Sequence, residues 1–550
     1  MSEMPPGHTF VELVLSKENR SRMNFKLLAL PAAALTILCT ITGCGVSDGL
    51  ADDMSMGITD KVTSLDPAAG YDVGSWIVFN NVFQTLLSYP AGATKPEPEI
   101  ARHCEFTDSQ SQTYDCTLRQ GLRFSNGNSL TSADVKFSFE RTLKINDPNG
   151  PAVLLESIKT VDTPSNDRVV FHLKYPDATL PLKIASGAGS IVDHRSYPAD
   201  KLRTDNGVAG SGPYKIDDFD YEDHVSFAVN DGYRGPADVH NDGMTMRFYK
   251  DDKTLKKAFV DGDVDFVYRG LAQADIARFQ EKFIVGDSEV RVVEGTGTEV
   301  QHLVFNLDHA EVSSPAVRRA VAYLIDRNEI IEEVYHHTTN PLYSMIPQGV
   351  IGHDNVFFNR YGKGGNTAKA GAELANAGIT GKVSFTLWTT PVRFGAGTVS
   401  EAKLIAKQLN SSGLFDVNVK IADTDDYSKG TEQGKFAAFI RGWVPDYPDP
   451  DNFTTPFFGE NSVLANNYVN EKINRVLIPR SAGRAARADT ADDFRELQAQ
   501  VARDVPIIPL WQSNQYIISK EEVTGLEAAL DTSTVFRLWS IGETDRNSWW

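Results

Sequence analysis

From residue 367 onward the apolar period of the sequence changes repeatedly, and this limits the folds open to the chain. "TAKAGAELANAG" (367–378) and "SEAKLIAKQLNSSG" (400–413) carry apolar residues at helical spacing. "KVSFTLWT" (382–389) and "DVNVKIAD" (416–423) alternate as strands do. Helix and strand in alternation mark an α/β lobe. Earlier segments carry similar signals. Residues 57–89 read as strand, loop and helix, "HVSFAVNDGYRGP" (224–236) as an antiparallel strand, and "DKTLKKAFVDGDVDFVY" (252–268) as helix, turn and strand. Helix starts are marked by Thr131 with Asp134, by Ser314 before Pro315, and by Asp326 with Glu329.

The 550 residues are enough for several lobes, and 41% hydrophobic with 10% aromatic content belongs to a globular chain. A formal charge of −19 argues against a nucleic-acid partner, which needs clustered Lys and Arg. The start of the chain is more specific. Arg20, Arg22 and Lys26 precede the apolar "LLALPAAALTILCTITG" (27–43), the layout of a secretory signal. A transmembrane helix is the alternative; Pro31, the small residues at its end and the polar "GVSDGLADD" that follows count against it. Residues 1–22 resemble neither signal nor domain, which makes Met23 an alternative start.

Cys104 and Cys116 flank the polar turn "DSQSQ". A hairpin centred on residue 110 sets Cys104 opposite Cys116 and Phe106 opposite Tyr114 on one face, which predicts a structural disulfide. A metal or redox pair would need CxxC spacing or convergent histidines. No GxSxG, HExxH or Walker loop is present, so no enzyme chemistry, metal or cofactor is expected. His336 and His337 are adjacent at a predicted helix end, where neighbours diverge.

"RGWVPDYPDPDNF" (441–453) stands apart: three acids, three prolines and three aromatics in thirteen residues. Prolines make it unsuited to a helix or central strand, and the aromatics are too many for a plain solvated loop. Calcium binding would need ligand spacing that this run lacks.

Together with "LDPA" (65–68), "LRQGLRFSNGNSLTSADVKFSFERTL" (118–143), "GSGPYKI" (210–216) and "VRRAVAYLIDR" (317–327), this run resembles bacterial family 5 solute-binding proteins, the lipoprotein receptors of oligopeptide, dipeptide and nickel ABC importers. "ITGC" (41–44) likewise resembles a lipobox, which would make Cys44 the lipidated first residue of the mature chain.

The resemblance implies an α/β, two-lobed clamshell of the periplasmic-binding type, with mixed sheets, flanking helices and a two-strand hinge. The expected segments are a leader (1–43), lobe 1 (44–95), its extra sub-domain with the disulfide hairpin (96–206), lobe 1 again (207–297), lobe 2 (298–514) and a return to lobe 1 (515–550). It implies an extracytoplasmic, lipid-anchored monomer that passes a peptide to an ABC permease and ATPase. A nickel chelate or oligosaccharide receptor, or a peptide sensor or chaperone, is the alternative. In peptide-binding relatives a Trp-x-x-Asp motif supplies the partner of the ligand's α-ammonium. The match here is Trp443 and Asp446, with Tyr447 beside them. Arg393, in "LWTTPVRF", and Arg441 compete as partners of the ligand carboxylate. Asp449 and Asp451 are expected to cap turns at the solvated edge of the loop.

Overall fold

Two long strands organise the computed structural model, which describes residues 54–286, 289–391, 395–460, 462–533 and 535–544. The leader, Cys44 and Arg393 lie outside these residues. Val290–Phe305 and Ile507–Lys520 run antiparallel through an eleven-stranded mixed sheet. On one flank lie Ala438–Trp443, Val383–Thr389 and Phe415–Ile421. On the other lie Phe266–Tyr268, Met54–Ile58, Gly243–Phe248, His224–Val229 and Tyr214–Asp220.

Besides a small third cluster around Leu255, Phe259, Val267 and Ile518, the sheet feeds two large apolar cores. One draws on residues from Met54 to Ile541, the other on residues from Val300 to Trp511. Each long strand enters both, through Val293 and Ile517 on one side and through Leu303 and Ile508 on the other. The ladder between them breaks between Thr296 and Val300. Two lobes joined by this strand pair make the α/β clamshell that the family resemblance implies.

A second, four-stranded antiparallel sheet orders Ala101–Phe106, Thr113–Leu118, Arg168–Leu173 and Ile158–Ser165. Cys104 faces Cys116 and is bonded to it, and Phe106 faces Tyr114 with ring centroids 4.7 Å apart. The helix Ser132–Ile145 lies on this sheet, with Phe139 edge-on to Phe171. The capping box forms at Thr131, whose N–H donates to Asp134 Oδ2 at 2.8 Å. At the second helix the Asp326 carboxylate accepts from the N–H groups of Asn328 and Glu329, but the Asp326 N–H donates to Gln408 Oε1 at 3.0 Å and not to Glu329. Pro315 opens its helix, but Ser314 contributes its carbonyl, which accepts Val317 N–H at 3.1 Å, and not its hydroxyl. Two of the quoted motifs meet in the core, where the Arg141 guanidinium donates to both oxygens of Asp66 at 2.7 and 2.6 Å.

One expectation needs correcting. Arg441–Trp443 do complete a central strand, because the first proline of the run comes only at position 445. The 3-10 turn Pro450–Phe453 follows.

Candidate functional site

Gly297, Thr298 and Glu299, the residues at the break in the long ladder, help to wall a cleft of about 760 Å³. That volume suits a small-molecule site. Tyr71 and Trp76 line it from the first core together with Tyr447, which packs into that same core; Trp443 lines it from the second, and Lys183 and Asp446 also line it. A second cavity of about 530 Å³ shares Tyr268, Arg269 and Glu299 with the first.

The proline-rich run is folded around Asn452. Its side-chain oxygen accepts from Trp443 Nε1 at 2.9 Å and from Asp446 N–H at 3.1 Å. Its amide nitrogen donates to Asp446 Oδ2 at 2.9 Å. Pro445, Pro448 and Pro450 fix φ at three positions between these partners, so one asparagine suffices to close the loop. Asp449 caps the 3-10 turn, accepting Asp451 N–H at 2.9 Å. Asp451 accepts from the Tyr447 hydroxyl at 3.1 Å and from the Thr455 hydroxyl at 2.6 Å.

Asp449 therefore caps as expected, but neither acid is at a solvated edge. Both are buried, and Arg487 grips Asp449 through two bonds of 2.8 and 2.7 Å. The partner that draws Asp449 inward lies 38 positions away, beyond the reach of local spacing arguments.

Asp446 is 7% exposed, and among the described residues no lysine or arginine stands within ion-pair distance of it. Burial pushes its carboxyl above the ordinary range; Asn452 and Tyr71 pull it partly back. Burial, with Asp446 close by, holds the Tyr71 phenol well up. Burial raises Asp451 in the same way, opposed by Lys183. Lys183 Nζ lies 2.9 Å from Asp177 Oδ2; burial works against its charge, but Asp177 and Asp451 overcome it and raise its pKa. A carboxylate desolvated without a counter-charge is costly unless a cation arrives to meet it.

Trp443, Asp446 and Tyr447 thus come together in the cleft. Arg441 sits opposite His302 in the sheet and is not among the cleft-lining residues. Arg393 falls outside the described residues, although its neighbours Pro391 and Gly395 line the second cavity. Sequence reasoning missed Tyr71 and Lys183, which no motif marks. It also missed Asn452, whose signal was its place inside the quoted run.

A cleft between two lobes, walled by aromatics and holding a buried carboxylate, is the layout of a solute receptor. Relatives agree. A profile of the bacterial extracellular solute-binding proteins, family 5, matches residues 95–464, and the chain belongs to that family of binding proteins, which are not enzymes. It is 25% identical over 464 residues to heme-binding protein A of Haemophilus influenzae, covering 78% of this chain and 82% of the relative. It is 23% identical over 487 residues to a probable D,D-dipeptide-binding periplasmic protein of Escherichia coli, covering 86% and 91%. The fold matches that of an ABC transporter-associated periplasmic binding protein from Helicobacter pylori, solved in complex with the peptide STSA. The TM-score is 0.75 at 20% identity, over 90% of this chain and 98% of that one. No described helix is long and apolar enough to cross a membrane.

Proposed function

We propose that this extracytoplasmic protein binds peptides by their α-ammonium group and delivers them to an ABC permease and its ATPase. The observation that carries this reading is Asp446: a buried carboxylate on the cleft wall, fixed by Asn452 and Pro445 and lacking a cationic partner among the described residues. A carboxylate held in that way is pre-organised for an ammonium, so little ordering cost falls on binding. The peptide-binding relatives support the same solute class. In this reading Cys44 carries the lipid that tethers a monomer to the outer face of the cell membrane. The chain crosses between lobes near 297/298 and 514/515, a placement supported by the ladder break after Thr296.

Titration calorimetry with a free peptide and its N-acetylated form tests the ammonium role. The wild type should strongly prefer the free amine, and Asp446→Asn should weaken binding by roughly 2–5 kcal/mol, the scale for truncating one partner of a buried charge pair. Equal binding of the two peptides by wild type removes the role from Asp446. A second reading, a flat aromatic ligand such as heme, draws on the Tyr71, Trp76 and Trp443 wall and on the Haemophilus relative. It predicts a saturable shift and sharpening of the hemin Soret band on titration with the protein, and indifference to Asp446→Asn.

A further inference from the structure

Resting on the ammonium reading above, we propose that the cleft selects peptides that carry a second positive charge, a lysine or arginine side chain, and disfavours those carrying an added carboxylate. The charges around Lys183 carry the argument. This lysine is ion-paired to Asp177 at 2.9 Å, and its charge is also felt by Asp451, Glu156 and Asp446. One cation thus stands among four carboxylates. The other cation on the cleft wall, Arg269, is spent in the same way: its Nε lies 2.9 Å from Asp60 Oδ2 and its Nη1 lies 3.5 Å from Glu299. Among the described lining residues, both cations already have an acid, while Asp446, Asp451, Glu156, Asp72 and Glu460 have no ion-pair partner.

A ligand ammonium at Asp446 neutralises one of the five. Asp451 and Glu156 are then left facing the cleft with only hydroxyl donors in direct contact among the described residues: Tyr447 and Thr455 on the first, Tyr175 on the second at 3.2 Å. Lys183 and, for Asp451, Arg487 act at longer range and are already paired with Asp177 and Asp449. Low-dielectric walls strengthen the field of such a surplus, and a second ligand cation relieves it. Glu156 and the half-exposed Tyr175 stand on the same wall as the buried acids. The Tyr175 ring offers a face over which a guanidinium or ammonium can settle. An added ligand carboxylate finds no unmatched cation among the described residues of this wall and meets repulsion.

Calorimetry on the full mature chain with Ala-Ala-Ala, Ala-Glu-Ala and the three peptides that place one lysine at each position tests this, with N-acetyl-Ala-Lys-Ala as control. The expected result is at least one lysine peptide binding about tenfold tighter than Ala-Ala-Ala, with Ala-Glu-Ala weaker than either. The advantage should shrink as salt is raised, because part of the charge lies near solvent. Glu156→Gln, at an exposed position, should cut the ratio of lysine-peptide to Ala-Ala-Ala affinity severalfold. Equal affinity for the lysine, alanine and glutamate peptides overturns the inference, while the ammonium reading survives if the acetylated control still fails to bind. If the acetylated control binds as well as the free peptide, or no peptide binds, both fall.

Discussion

Asn452 holds Asp446 at two points, donating to its carboxylate at 2.9 Å and accepting its backbone N–H at 3.1 Å. The same side-chain oxygen takes the Trp443 indole N–H, so one residue sets both the charge and the aromatic face of the proposed ammonium site. Asn452→Leu is expected to weaken peptide binding by about 1–3 kcal/mol, the scale of buried partners left unsatisfied. Calorimetry alongside Asp446→Asn checks this. Wild-type affinity in Asn452→Leu would show that the prolines alone suffice to place the carboxylate.

The Asp449–Arg487 pair makes a structural counterpart. Both partners are buried, so Asp449→Asn strands a guanidinium and should lower stability by about 3–5 kcal/mol. Replacing both residues with apolar ones of similar volume should recover much of that loss, as paired removal leaves no lone charge. Urea denaturation curves of the single and double variants measure it. An equal loss in both would mean that the pair contributes shape and not charge compensation.

Reduction of the Cys104–Cys116 bridge should cost about 3 kcal/mol in the chain-entropy picture of a short loop. Neither strand of that hairpin lines the cleft, so peptide affinity should not move. Denaturation and calorimetry on the Cys104→Ser, Cys116→Ser protein give both readouts, and a changed affinity would place the hairpin in the binding machinery.

Glu401 predicts a pH dependence. It is fully buried, accepting from Gln301 Nε2 at 2.8 Å, Trp511 Nε1 at 2.9 Å and the Tyr335 hydroxyl at 3.2 Å. Burial outweighs these donors and pushes its pKa from 4.5 up to about 7. The native state then holds this proton more tightly than the unfolded chain does. The stabilisation is full below about pH 4.5 and is lost as pH rises through about 7, on the order of 3 kcal/mol in all. Glu99, raised by burial to about 7, adds a loss of the same sign in the same window. Urea midpoints measured across that window should fall as pH rises, and Glu401→Gln should flatten part of the slope. An unchanged slope in the variant would assign the dependence to Glu99 and the cleft acids.

What could be read in the sequence was what neighbours in the chain decide. The hairpin register at Cys104 and Cys116 rests on thirteen residues with a polar turn among them, and Thr131 with Asp134 rests on four; both formed as expected. Asp449 shows the limit. Its role as a cap is local and was legible, but its burial comes from Arg487, which the helical segment after the loop brings back across it. Lys183 and Tyr71 reach the cleft from segments far from the motif run, and nothing in their own surroundings in sequence distinguishes them from other lysines and tyrosines. Glu401 sits in an ordinary amphipathic helix; only the fold sets two strand residues and a tyrosine around it.

The route of the chain through its two cores also orders events during synthesis. The second core closes with residues up to Trp511 and needs nothing from before Val300. The first spans Met54 to Ile541, and Asn81 bonds the Phe536 carbonyl and the Leu538 N–H across more than four hundred intervening positions. A ribosome would therefore release a chain whose inserted lobe can already be compact while the N-terminal lobe still waits for its last strand and turns. The first core therefore cannot be completed until the C-terminal segment has been made, whatever the second lobe has already done.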